Sequence, residues 1–201
     1  MKSNRLNSPS AAGSGQDQSA SRLRPARSAL RLSPLALALL VPAVLAVPAK
    51  LGNLPVSFEP STKLMVLNDA GIQKVFPSGN RPDAVLLSGD SKVSMAFEWR
   101  DAKLATNDVN TMLAQFPAVI RSQVPGIKTL KQQLVNMNGN SWADFVFVTA
   151  GKTATSGDVR REMLITSAQG RMLVLTISSS MADYARNEAD VKAVTSSIRL
   201  N

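Results

Sequence analysis

Between Leu130 and Ser180 apolar and polar residues alternate with a period of two, which predicts a meander of consecutive antiparallel strands. Leu134–Met137 and Trp142–Thr149 flank Asn138-Gly139. That pair best tolerates the positive φ needed at both central positions of a type I′ hairpin turn. With a two-residue loop, Met137 faces Asn140 and Val135 faces Trp142. A further strand is predicted over Val159–Ser167, and Ala168-Gln169-Gly170 turns the chain into Met172–Ser178. The alternation is two-sided. Phe145 and Phe147 point one way, while Trp142, Val146 and Val148 point the other. Leu173, Leu175 and Ile177 share a face, opposite Met172 and Val174. A sheet with one wet face carries apolar residues at alternate positions only. Both faces are therefore expected to be covered, and by helices.

Two stretches have the spacing of such helices. In Asp108–Arg121, Val109, Met112, Leu113, Phe116 and Ile120 form one apolar stripe, with Thr106 or Asn107 as the expected cap. Pro117 lies inside it, and a proline there removes a hydrogen bond and costs ~3 kcal/mol, so a kink or break is expected. From Ser180 to about Ser197, Tyr184, Val191, Val194 and Ile198 share a face, and Ser180 with Asp183 resembles a capping box. Upstream, Val56–Glu59, Lys63–Leu67, Ile72–Phe76 and Ala84–Leu87 read as short strands punctuated by Pro60, Asn68, Gly71, Pro77 and Gly79-Asn80. Lys92–Trp99 is a stronger strand, with Val93, Met95, Phe97 and Trp99 on one face. The fold class is α+β: an antiparallel sheet covered by helices on both faces.

The first part of the chain follows a different pattern. Residues 1–33 are polar and basic and are expected to be a disordered n-region, and residues 34–49 form an uncharged apolar run. Arginines 22, 24, 27 and 31 precede that run, which has the form of a secretory signal. Cleavage is expected after Ala46 or before Lys50, leaving residues 50–201 as a single domain exported to the periplasm or the extracytoplasmic envelope. The run is about 16 residues long and contains Pro42 and Pro48, whereas a spanning helix needs about 20. The alternative is an uncleaved inner-membrane anchor, which would be the only membrane contact. The leader also changes the reading of the charge. Of a net +9, residues 1–49 contribute +5, from six Lys/Arg against one Asp. The remaining domain is only mildly basic, and no nucleic-acid partner is expected.

The candidate chemistry is sparse. There is no Cys and no His, so thiolate catalysis, disulfides and the commonest general base and metal ligand are absent. Ser178-Ser179-Ser180 with Lys152 or Lys192 could support Ser-Lys acyl transfer. The run sits where a strand becomes a helix, however, and there Ser is preferred as a cap. Asp183, Glu188 and Asp190 are oxygen ligands in type but do not converge on a helix. Gly151 to Gly157 lacks the order of a phosphate loop and reads as a hairpin loop. Lys152, Arg160, Arg161 and Arg171 are candidate contacts for an anionic partner; against this stands a solvated sheet edge guarded by cations. Alternation separates Arg160 from Arg161, so at most one points into any groove. Trp99 and Trp142 read as core. No catalytic residue, metal site or cofactor is assigned, and Asn138 and Gly139 are structural turn residues.

Three features carry a family resemblance: Asn138-Gly139-Asn140-Ser141-Trp142, Gly170-Arg171 opening an apolar strand, and a closing helix ending Val194-Thr195-Ser196-Ser197-Ile198-Arg199-Leu200. On these, the region from about Val56 to Leu200 resembles the PsbP-like superfamily of α/β/α sandwiches, which includes PsbP, a Ran-binding import factor and DcrB-like bacterial envelope proteins. The resemblance implies an antiparallel sheet between helices and a binding or assembly role without catalysis. The chain lacks the lipobox Cys of many bacterial members and the His residues of some photosynthetic ones. The expected function is an exported, non-catalytic envelope module that binds an unknown protein partner. The alternatives are a small-ligand carrier with a pocket between the sheet and the Asp108–Arg121 helix, and a Ser/Lys-type hydrolase.

Overall fold

The computed structural model describes residues 48–77, 79–151 and 157–201. The strands are β1 (Ala49–Lys50), β2 (Val56–Phe58), β3 (Leu64–Val66), β4 (Ala84–Ser88), β5 (Ser94–Lys103), β6 (Lys128–Met137), β7 (Asn140–Thr149), β8 (Val159–Ala168), β9 (Arg171–Ser180) and β10 (Arg199–Leu200). The helices are α1 (Asp69–Val75), α2 (Val109–Gln123) and α3 (Met181–Ser197). Seven strands form one antiparallel sheet in the order β3-β4-β5-β9-β8-β7-β6; β1, β2 and β10 form a second, small one.

The first hairpin has the register its turn demands. Met137 pairs with Asn140 and Val135 with Trp142, and φ is 50° at Asn138 and 84° at Gly139. The turn also reaches a helix: the Asn138 side-chain amide donates to the carbonyls of Ser196 (2.9 Å) and Ile198 (2.7 Å) at the end of α3. The turn after β8 is one residue tighter than expected. Ala168 pairs with Arg171, leaving Gln169 and Gly170 in the loop with φ of 53° and 75°.

Both faces are covered, as the two-sided alternation requires. Trp142, Phe97, Leu173, Leu175 and Ile177 pack with Val191 and Val194 of α3 and with Ile198 just beyond its end. On the other face Phe145, Phe147 and Val174 pack with Met112, Leu113, Phe116 and Ile120 of α2. The Phe116 ring lies 5.1 Å from that of Phe145. A small third cluster seats α1 through Ile72 on Val85 and Ala96.

Three local expectations are corrected. The predicted strand Ile72–Phe76 is the body of α1. The Asn68 side chain accepts from the Gly71 N–H at 2.9 Å, a cap that defines the helix start. A single buried residue, Ile72, leaves no helical stripe to read. Neither Thr106 nor Asn107 caps α2; both lie in a 3-10 turn, Thr106–Asp108, that runs into it. Finally, α2 continues through the buried Pro117 without a break. The carbonyl that the proline leaves without its helical donor, that of Leu113, accepts from Gln132 Nε2 on β6 at 2.8 Å.

Candidate functional site

Strand alternation decides where the candidate arginines point. Arg160 lies on the α3 face of β8, paired across to Ser179, and is buried; Arg161 lies on the α2 face and is exposed. Strand β8 sits between β7 and β9, so neither arginine guards a sheet edge. Arg171 is at the far end of the same hairpin, opposite Ala168. That is about 26 Å from Arg160 at ~3.3 Å per residue. Its guanidinium lies 3.9 Å from the centroid of the half-buried Trp99 ring, and it donates to the Trp99 carbonyl (3.1 Å) and to Asp101 (2.5 Å). The three arginines are thus not brought together. Lys152 lies outside the described residues.

Arg160 belongs to a different constellation. Because β8 alternates, Arg160 and Glu162 share the α3 face, and Arg160 Nη2 donates to Glu162 Oε2 at 2.8 Å. From above, the Tyr184 ring of α3 covers the guanidinium at 3.5 Å. Burial, with the Glu162 charge beside it, raises the Tyr184 hydroxyl above its ordinary pKa. On the next strand Asp144 pairs with Lys131 of the edge strand β6 at 2.7 Å. On α3 itself, Lys192 pairs with Glu188 one turn earlier, also at 2.7 Å.

These three ion pairs line one cavity of about 330 Å³ between α3 and the sheet. It is graded from wet to dry. The Lys192 side chain at the rim is 68% exposed, against 10% for Arg160 and 3% for Asp144 inside. Leu164, Ile177 and Val191, all buried, make the apolar part of its wall. Among the described residues Arg160 Nη1 and Asp144 Oδ1 are buried without a hydrogen-bond partner.

The other candidate groups fall apart. Ser180 caps α3, accepting from the Asp183 N–H at 3.1 Å and donating to the Asp183 carboxylate at 2.6 Å. The Asp183 side chain thus answers the Ser180 hydroxyl and not, as in a full capping box, its N–H. The Ser180 hydroxyl, then Arg186, hold the Asp183 carboxyl below the usual range, so it is a poor general base. Ser178 faces the α2 side, whereas Lys192 lines the α3-side cavity. Ser179 is buried. Asp183, Glu188 and Asp190 each bind their own cation, in Arg186, Lys192 and Lys63. No metal-holding group of His, Cys, Asp or Glu occurs among the described residues. On the α2 face a groove of about 510 Å³ touches Ile120 of α2 but runs toward α1, with Arg161, Glu98 and Ser178 in its floor. It is the described feature nearest to the expected carrier pocket.

Sequence reasoning singled out neither Asp144 nor Glu162. Their signal was present: each is a charge on the inward face of its strand, Asp144 between Trp142 and Val146, Glu162 between Arg160 and Leu164.

No family model matches the chain, and no curated protein matches its sequence. Solved structures do. The solution structure of cyanobacterial PsbP (CyanoP) from Synechocystis sp. PCC 6803 superimposes with a TM-score of 0.51 at 11% identity, over 73% of this chain and 87% of that one. PA94 from Pseudomonas aeruginosa, a putative regulator, gives 0.45 at 12% identity over 71% and 85%. The Saccharomyces cerevisiae Ran-binding protein Mog1p gives 0.48 at 9% identity over 77% and 94%. The likeness to CyanoP is one of fold. The chain has the PsbP-like α+β fold, an antiparallel sheet with helices on both faces, as the resemblance around the Asn138-Gly139 turn implied.

Proposed function

We propose that this chain is an exported, non-catalytic binding module whose binding site is the cleft beneath α3. The observation that carries the reading is the ring of three ion pairs on the inward face of the sheet and on α3. A position on a covered central strand is filled most cheaply by an aliphatic residue. Buried pairs such as Arg160 with Glu162 are often neutral or worse for stability than apolar replacements. Their concentration around one cavity points to recognition. The position of Ser178 on the α2 side, away from Lys192, and the use of Ser180 as the cap of α3 favour binding over Ser/Lys chemistry. The apolar run over residues 34–49 supports export. No helix among the described residues is long and apolar enough to cross a membrane.

The test is capture from an envelope extract with the tagged full chain and with Lys131→Glu/Lys192→Glu. Both lysines are solvent-exposed, but Lys131 is the partner of the buried Asp144, so a native circular dichroism spectrum of the variant is established before capture. The reading expects a bound species recovered by the wild type and lost by the variant. Equal recovery by both would move the binding site elsewhere. Labelling of Ser178, Ser179 or Ser180 by a serine-reactive probe would overturn the non-catalytic part.

A further inference from the structure

We infer that the groove on the α2 face of the sheet is a second binding site, one for a free monocarboxylic acid with an apolar tail. It lies across the sheet from the cleft beneath α3 and does not depend on the reading of that cleft.

The floor of the groove is a gap in the cover of the sheet. Strands β5, β9 and β8 are neighbours in the sheet interior. On the α3 face β9 carries Leu175 and Ile177, both buried. On the opposite face its Thr176 and Ser178 are only half-buried, as are Ser94 on β5 and Met163 on β8. Helix α1 seats on Val85 and Ala96, and α2 on Phe145, Phe147 and Val174, which leaves this part of the sheet open between them.

The pairing register sets the floor in rows. Ser94 is opposite Ser178, and Ser178 is opposite Arg161, so two hydroxyls and one guanidinium cross three adjacent strands in one line. The next row is Ala96, Thr176 and Met163. Phe76 at the end of α1 and Ile120 of α2 add apolar wall. One end of the groove is therefore polar and cationic, and its middle is largely apolar.

Charge selects the head of the ligand. Among the described residues two charged side chains line the groove, Arg161 and Glu98. Arg100 holds Glu98 at 2.7 Å. Arg161 is exposed and has no ion-pair partner among the described residues. The cations of the α3 cleft, by contrast, each have their own carboxylate. A carboxylate against Arg161 would accept charge-assisted bonds from the guanidinium, and the Ser178 hydroxyl directly opposite can add another. A dianion would leave one charge unmatched beside an apolar wall.

Size and backbone select the rest. A volume of about 510 Å³ is within the range of small-molecule pockets. Glu98 marks the far end, four residues along β5 from Ser94, or about 13 Å. A tail of medium length fits between the Arg161 row and that end. The three strands of the floor already pair on both sides, so an extended peptide laid across them gains no strand-to-strand bonds.

The experiment is a thermal-shift series on the purified full chain with octanoate, octanol, octylamine and acetate. A ligand that binds only the native state raises the midpoint. The proposal expects a rise of several degrees with octanoate at saturation and less than a third of it with octanol or octylamine. Acetate, which has the charge without the tail, should give none. Arg161→Gln should remove most of the octanoate shift. Should that variant lack a native circular dichroism spectrum, Ser178→Asp, which sets a carboxylate opposite Arg161, should remove it. Lys192→Gln, on the α3 side, should leave the shift unchanged. Loss in Lys192→Gln with retention in Arg161→Gln would put the acid in the α3 cleft and overturn the proposal. No shift with octanoate, or an equal one with octanol or octylamine, overturns it too. Binding to anionic phospholipid vesicles without an octanoate shift would assign the groove to a membrane surface instead. Envelope capture that depends on Lys131 and Lys192 stands or falls apart from these outcomes, so the two sites fail separately.

Discussion

Gln132 Nε2 donates to the carbonyl of Leu113, the group that Pro117 leaves without its helical partner. A side chain from the edge strand thus repairs a helix on the face above it. Gln132→Leu should lower stability by up to ~1 kcal/mol, the scale of a partly exposed hydrogen bond. In a Pro117→Ala background the residue 117 N–H becomes a competing donor, so the same change should cost clearly less. Urea denaturation of the four proteins measures this coupling; additive penalties would mean that Gln132 does not stand in for the missing donor.

The Asn138-Gly139 turn makes two separate predictions. With φ of 84° at Gly139 and open space around it, only backbone strain opposes a side chain there. Gly139→Val should therefore lower the urea midpoint clearly and Gly139→Asn little. Asn138→Asp tolerates the same backbone but removes both donors to the end of α3 and sets a negative charge there. It should cost about 1–2 kcal/mol, more at low salt than at high salt.

For the Arg160–Glu162 pair, side chains 10% and 12% exposed, removing one partner leaves a buried charge. Arg160→Met and Glu162→Leu should each cost about 3–5 kcal/mol, and the double variant less than either. A double variant at the sum of the singles would show that the two side chains act independently.

Raised pKa at Tyr184 sets a pH signature. A group whose folded-state pKa is raised contributes stability that is complete below its unfolded pKa and is lost as pH rises through the folded one. The ordinary tyrosine value is 10.0, so the loss should begin above that pH. Chemical denaturation from pH 9 to 11 should show a steeper decline for the wild type than for Tyr184→Phe. Matching slopes would mean that Tyr184 is not shifted.

Much of this architecture was legible because the chain obeys local rules consistently. The period-two runs, the Asn138-Gly139 turn and the α2 and α3 stripes each point to the same sheet. What was not legible depends on tertiary partners. Pro117 alone predicts a break, and only Gln132, nineteen residues along the chain from the Leu113 carbonyl it serves, removes the reason for one. Helix α1 buries one residue and so has no period. The cleft was hidden because Lys131, Asp144, Arg160 and Glu188 come from four different elements, and no sequence spacing links them. Conversely, Arg160 and Arg161 are neighbours in sequence yet lie on opposite faces.

The leader prediction can be refined. Ala49 pairs with Phe58, and Lys50 with Ser57. Cleavage before Lys50 would remove half of β1, whereas cleavage after Ala46 keeps it. N-terminal sequencing of the exported protein should find Val47; an intact Met1 on membrane-bound protein would convert the reading to an anchored domain.

Strand β2 has one neighbour from each direction of the chain: β1 just before it and β10 more than a hundred residues later. The Asn201 N–H adds a bond to the Pro55 carbonyl at 3.0 Å. The corner holding Val56 and Phe58, both fully buried, is thus completed only when residues 199–201 have been made and have reached it. A chain emerging from the ribosome lacks this closure until residues 199–201 are free to pair. The topology itself therefore makes this corner one of the last parts of the fold to close.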